Sequence, residues 1–157
     1  VINSHSAVIN DAILQLNSEL AELRKFIVLL ASEQQFLLNN DTDSLLTLSE
    51  AKTQAASQLM EMSNSRRKAL LTNNTDGMET WLARHAPGSK TVWSEIRKLA
   101  AQAQHLNSTN GELIHSRMRH NQQALSALQN ASKSAAGLYG PDGQANLSST
   151  GRHLGSG

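Results

Sequence analysis

The sequence predicts an all-α fold: an antiparallel helical hairpin plus a long C-terminal helix forming an elongated three-helix bundle, with a short extra helix and a disordered C-terminal tail. Three observations carry this reading. Gly and Pro, 9 and 2 of 157 residues, are absent before Gly77 and crowd into the stretch from Gly137 to Gly157. A β-sandwich or barrel needs turn residues throughout, so the chain before that stretch is helical. Apolar residues recur at steps of three and four over long segments, and short polar clusters separate those segments.

The first helix is expected from Ser6, a good N-cap, to about Leu38. Its seam reads Ile9, Ile13, Leu16, Leu20, Leu23, Ile27, Leu30, Gln34 and Leu37, a 3.5-residue repeat. Val8, Leu14, Phe26 and Phe36 widen the stripe beyond a two-stranded seam, which favours a bundle over a bare coiled coil. Asn39-Asn40-Asp41-Thr42-Asp43 reads as a turn with N-cap candidates built in. A second helix is expected from about Ser44 to Leu71, with Leu45, Leu48, Lys52, Ala55, Leu59, Met62, Arg66 and Ala69 on its seam. So short a connection between two long helices implies an antiparallel hairpin. Lys52 and Arg66 fall on the seam, where their stems can pack while their heads reach solvent.

Thr72 to Gly77 breaks the pattern, and a short amphipathic helix over Met78 to His85 stops at Ala86-Pro87-Gly88. The last helix starts near Ser89 and runs to about Ser132, with Val92, Trp93, Ile96, Leu99, Ala103 and Leu106 as its early stripe. Asn107, Ser108, Asn110 and Gly111 interrupt that stripe, and Gly inside a helix costs about 1 kcal/mol relative to Ala, so a kink or local melting point is expected there. Leu113, Ile114, Met118, Leu125 and Leu128 then make a second stripe, and the two halves need not pack on the same thing. From Gly137 the composition turns to Gly, Ser, Asn and Thr, too polar to offset its ordering entropy. The expected organisation is a helical domain over 1–136 and a flexible tail over 137–157.

Several function classes lose support at this stage. The absence of cysteine removes disulfides and thiolate metal sites. Six histidines include no pair spaced three or four apart, so no helical metal site is expected. No phosphate-cradling Gly loop, no G-x-S-x-G and no nucleophile beside a base appears, so neither an enzyme nor a cofactor is expected. The formal charge is +1, and the clusters Arg66-Arg67-Lys68 and Arg117-x-Arg119-His120 lack interleaved aromatics, which argues against nucleic acid. Val1 to Asn10 carries no basic n-region and no apolar h-region, and the longest apolar run, Phe26 to Ala31, is far too short to span a bilayer. A cytosolic protein without membrane insertion is expected. What remains is a helical surface with a broken C-terminal stripe and a tail, a pattern suited to binding other proteins, often helices. On periodicity alone, the stripe after Gly111 serves equally well as bundle core.

The residues also resemble a family. Asn107-x-x-Asn110-Gly111-x-Leu113, then Arg119-His120-Asn121-Gln122-Gln123-Ala124-Leu125-x-x-Leu128, then Leu138-Tyr139-Gly140-Pro141-Asp142-Gly143-Gln144 is similar to FlgN, the flagellar type III export chaperone. The Leu-Tyr-Gly-x-x-Gly-Gln element after a Gln-rich helix is its most specific part, and Pro141 is a mild departure. The resemblance implies a cytosolic, non-enzymatic chaperone of the hook–filament junction proteins FlgK and FlgL, which prevents their premature assembly and delivers them to the export gate. It places the substrate element on Leu113, Ile114, Met118, Leu125 and Leu128. It places docking on the cytosolic domain of the export-gate protein FlhA at Tyr139. The alternative is a structural helical-bundle or coiled-coil protein that self-associates through the same seams.

Overall fold

The computed structural model describes residues 2–72 and 77–138. Four α-helices and one 3-10 turn account for them: α1 Ile2–Leu38, α2 Thr42–Thr72, α3 Met78–His85, the turn Pro87–Ser89, and α4 Lys90–Leu138. The expected hairpin, short helix and long last helix are all present, and the described residues contain no strand. The disordered tail expected over 137–157 lies almost entirely outside the described residues. The chain divides into two compact units, 1–114 and 115–157.

The hairpin turn follows from its three polar residues. Asn40 has φ of 59°, a left-handed conformation that Asn tolerates better than most L-residues. It closes α1 in a Schellman arrangement, with Asp41 N–H donating to Phe36 O at 3.0 Å and Asn40 N–H to Leu37 O at 3.5 Å. Asp41 then caps α2, its Oδ1 accepting the Ser44 backbone N–H at 3.1 Å. The Ser44 hydroxyl and that N–H hold the Asp41 carboxyl below its ordinary pKa. The cap therefore stabilises the fold above the usual carboxylate range, and its contribution is lost as pH falls through the lowered value.

In the first unit the core is a ladder of leucines on α1 (Leu16, Leu20, Leu23, Leu30) closed by Ile96 and Ala103 of α4 and by Met78, Trp81, Leu82 and Ala86. Each fully buried Leu contributes about 1.5–3 kcal/mol. Gly77 supplies the entry to α3 with φ of 141° and ψ of 169°, a region open in practice only to glycine.

Three sequence expectations are corrected here. Lys52 and Arg66 do pack their stems on the seam, but their heads do not run free to solvent. Lys52 Nζ donates to both Glu33 oxygens at 3.0 and 2.9 Å. Arg66 grips Glu19 through Nε and Nη2 at 2.8 and 3.0 Å and lies over the Trp93 ring at 4.6 Å. A buried carboxylate needs a partner, and the seam cations are the nearest donors. Second, α4 runs without interruption through Asn107 to Gly111. Asn110 is 0% exposed, and its Nδ2 donates to Leu30 O at 2.8 Å and to Glu33 Oε2 at 2.7 Å. Tertiary hydrogen bonds thus hold the segment that local propensity marks as weak, and a Cβ at Gly111 would meet nothing within 4 Å. Third, Val8 and Leu14 do not widen the core; they are 57% and 65% exposed.

Candidate protein-binding surface

The surface is built on α4, whose apolar pattern changes register along its length. Up to Leu106 the apolar residues face the first unit: Ile96 and Ala103 are buried, and Val92, Trp93, Leu99 and Leu106 pack partly against them. Asn110 closes that series from within. Beyond it, Leu113 is half-buried and Ile114 is 37% exposed. Met118, Leu125 and Leu128 are 62%, 56% and 68% exposed, and every residue from Met118 to Gly137 is exposed. The residues singled out after Gly111 therefore divide. Met118, Leu125 and Leu128 are free apolar side chains on the helix of the second unit. Ile114 is marginal, and Leu113 is partly committed to packing. Tyr139, the expected docking residue, lies outside the described residues.

A solvated helix rarely carries three large apolar side chains on one face without a use for them, since each exposes area that association would bury. At 100° per residue Met118, Leu125 and Leu128 fall within less than a quarter turn of one another, with Asn121 among them. That spacing is the a/d seam of a helix–helix contact. Gln122 and Gln129 border the stripe, Gln123 and Asn130 lie further round, and all four are exposed.

A concavity lies in the first unit, where the ends of the hairpin meet α3. About 630 Å³ in volume, it is lined by Ala12, Leu16, Met62, Leu70, Met78 and Trp81 among others. The sequence gives one signal of it: Val8 and Leu14 stand off the α1 seam. The Glu19–Arg66 pair forms part of its lining. Nearby, the His5 and His85 rings meet edge to face with centroids 5.6 Å apart. Among the described residues no group of three or more His, Asp or Glu side chains could hold a metal ion. No helix among them is long and apolar enough to cross a membrane.

A model of the FlgN family, described as FlgN protein, matches residues 8–147. The chain belongs to the FlgN family. No curated protein and no solved structure matches it. FlgN membership makes this a flagellar chaperone, a protein that binds flagellar proteins. The FlgN match takes in the whole hairpin from Val8, all of α4, and the segment holding Tyr139. The exposed face of α4 thus falls within the part of the chain that defines a FlgN protein.

Proposed function

We propose that this FlgN protein is a cytosolic export chaperone that binds the hook-associated proteins FlgK and FlgL, prevents their premature assembly and delivers them to the export gate. The observation that supports this most is the exposure of Met118, Leu125 and Leu128 along one side of a continuous helix. Such a face is suited to covering the apolar side of a substrate helix that would otherwise aggregate. In this reading Ile114 and Leu113 extend the contact toward the start of the stripe. The test is a titration of the chain with FlgK, intact and lacking its terminal helices. Intact FlgK should bind, and removal of the helices should weaken binding at least thirtyfold, about 2 kcal/mol. Equal binding by both forms, or a native mass showing only self-oligomers, would overturn the proposal, and the latter would favour a self-associating structural protein.

Delivery to the gate rests in this reading on Tyr139, the only tyrosine of the chain. Its ring would enter a pocket on the cytosolic domain of FlhA. Truncating an aromatic anchor of that kind commonly costs about 2 kcal/mol or more. Tyr139→Ala should therefore leave FlgK binding and thermal stability unchanged while weakening the chaperone–substrate complex on the FlhA domain roughly thirtyfold. Matching isotherms for the two complexes would remove Tyr139 from the mechanism.

A further inference from the structure

We infer that the concavity at the open end of the hairpin is a docking groove of its own, made for a short partner helix that carries Lys or Arg beside large apolar side chains. The inference is independent of the reading of α4, since every residue lining the groove lies in the first unit and none on α4.

The shape follows from the side chains that the two hairpin helices bring together. On α1 the lining runs Val8, Ala12, Gln15 and Glu19, steps of four and three that make one ridge about 16 Å long. On α2 the lining includes Ser65 and Ala69, whose small side chains leave the space between the helices unfilled. Leu16 and Trp81, both buried, line its depth. Val8 and Leu14, 57% and 65% exposed, are large apolar side chains that the hairpin does not cover. A space of about 630 Å³ between two parallel ridges, apolar within and at its margin, suits the side chains of a helix laid along it.

Charge selects the occupant. Among the described residues Asp11, Glu19 and Glu61 line the groove against one cation, Arg66. Glu19 takes both Arg66 contacts, at 2.8 and 3.0 Å, so that pair is neutral. Asp11 accepts the neutral Gln15 amide at 2.9 Å. Neither Asp11 nor Glu61 belongs to an ion pair among the described residues, and both are exposed. Two carboxylates without a cation, one on each helix beside an apolar groove, attract a basic guest and repel an acidic one. Lys and Arg suit the place because their stems can lie on the apolar margin while their heads reach the carboxylates. Other occupants fit less well. Nucleic acid and an anionic membrane would bring phosphates against Asp11 and Glu61. A second copy could offer the exposed Arg119 and Lys133 of its α4, but that contact runs head to tail and grows into open chains unless its rotation closes a ring.

The experiment uses the full chain and labelled peptides of about twelve residues, stapled because free helices of that length are marginal in water. Each carries Leu, Met or Phe along one face, flanked by Lys in one series and by Glu in the other. Fluorescence anisotropy follows binding at about 50 mM and about 500 mM salt, where screening differs severalfold. The best Lys peptide should bind at least about tenfold more tightly than its Glu counterpart at low salt, and the gap should narrow at high salt. Asp11→Lys/Glu61→Lys, at two exposed positions, should reverse the order with helicity unchanged by circular dichroism. Ser65→Trp, also at an exposed position, plugs the groove and should weaken the Lys peptide at least about tenfold, whereas Met118→Ala/Leu125→Ala should change its binding less than about twofold. Should Ser65→Trp disturb the hairpin, the charge reversal decides alone. Failure of every peptide to bind overturns the inference, as does a preference for the Glu series or a Lys preference that survives the charge reversal. Tighter binding to phosphatidylglycerol vesicles or to a single-stranded oligonucleotide overturns it as well. Self-association of the chain that Ser65→Trp abolishes would give the groove to a second copy, which also overturns it. If FlgK binds as proposed and no peptide does, only this inference falls.

Discussion

Glu33→Ala is expected to destabilise the protein by about 3 kcal/mol, the cost of stranding one half of a buried ion pair. The Glu33 side chain is 9% exposed and Lys52 is 23% exposed, so water only partly rescues the ammonium left behind. The same carboxylate accepts the Asn110 Nδ2 at 2.7 Å. Its loss therefore loosens α4 as well as the hairpin, and it leaves a second polar group less satisfied beside Asn110 Oδ1, which has no partner among the described residues. For a chain of this length that corresponds to a fall in Tm of about 6–12 °C. Glu22→Ala is the control, because its pair with Lys25 lies within one helix and Lys25 is 69% exposed. That change should cost under about 0.5 kcal/mol. If thermal unfolding showed the two variants to be alike, the Glu33 cluster would have no special role. The converse experiment separates stability from specificity. Replacing Glu33, Lys52 and Asn110 together by Leu should recover much of the loss, since a fully apolar layer is often as stable as a buried pair.

What such a layer loses is the register. Glu19 meets Arg66 and Glu33 meets Lys52, so the acids on α1 and the bases on α2 are both two heptads apart. Sliding α2 by one turn would break both pairs at once. The leucines, alanines and methionines of the two seams could repack after such a slip at far lower cost. The polar rungs therefore fix which of several antiparallel pairings the hairpin adopts, as polar seam residues do in coiled coils.

The legibility of this fold in its sequence follows the range of the interactions. The turn at Asn39 to Asp41 is readable because its determinants are local: a left-handed Asn and an Asp cap act within a few residues. The 3.5-residue seams of α1 and α2 are readable because burial imposes a period. Asn110 is misleading for the opposite reason. Its partners Leu30 and Glu33 lie 80 and 77 residues away, and one-dimensional propensity shows only a poor helix former beside a glycine. Lys52 and Arg66 could be placed on a seam, but Glu19 and Glu33 could not be named as their partners, because α1 has other acids at similar spacing. For the proposed binding face, periodicity located the stripe but could not say whether it was core. Exposure decides that, since Met118, Leu125 and Leu128 share the helical spacing of Ile96 and Ala103 and differ only in what surrounds them.

That difference makes Met118→Asp/Leu125→Asp the most direct test of the α4 face. Had these side chains been core, the double variant would unfold the protein. Because they are 62% and 56% exposed, the free chain should lose only the helix propensity of two Asp residues, about 1 kcal/mol in all. Binding is another matter. Each side chain buried against a substrate helix contributes about 1.5–3 kcal/mol, and the new carboxylates add a desolvation cost at the same contact. Together these should weaken FlgK and FlgL binding by at least about a hundredfold. Gln123→Asp provides the control: it adds the same charge to the same helix on the opposite face, and binding should change less than about threefold. Calorimetric titration of the three chains, with circular dichroism to follow helix content, measures all of this. Unaltered affinity in the double variant would remove the face from substrate binding, whereas equal losses in the double variant and in Gln123→Asp would assign the effect to charge alone and not to the apolar stripe.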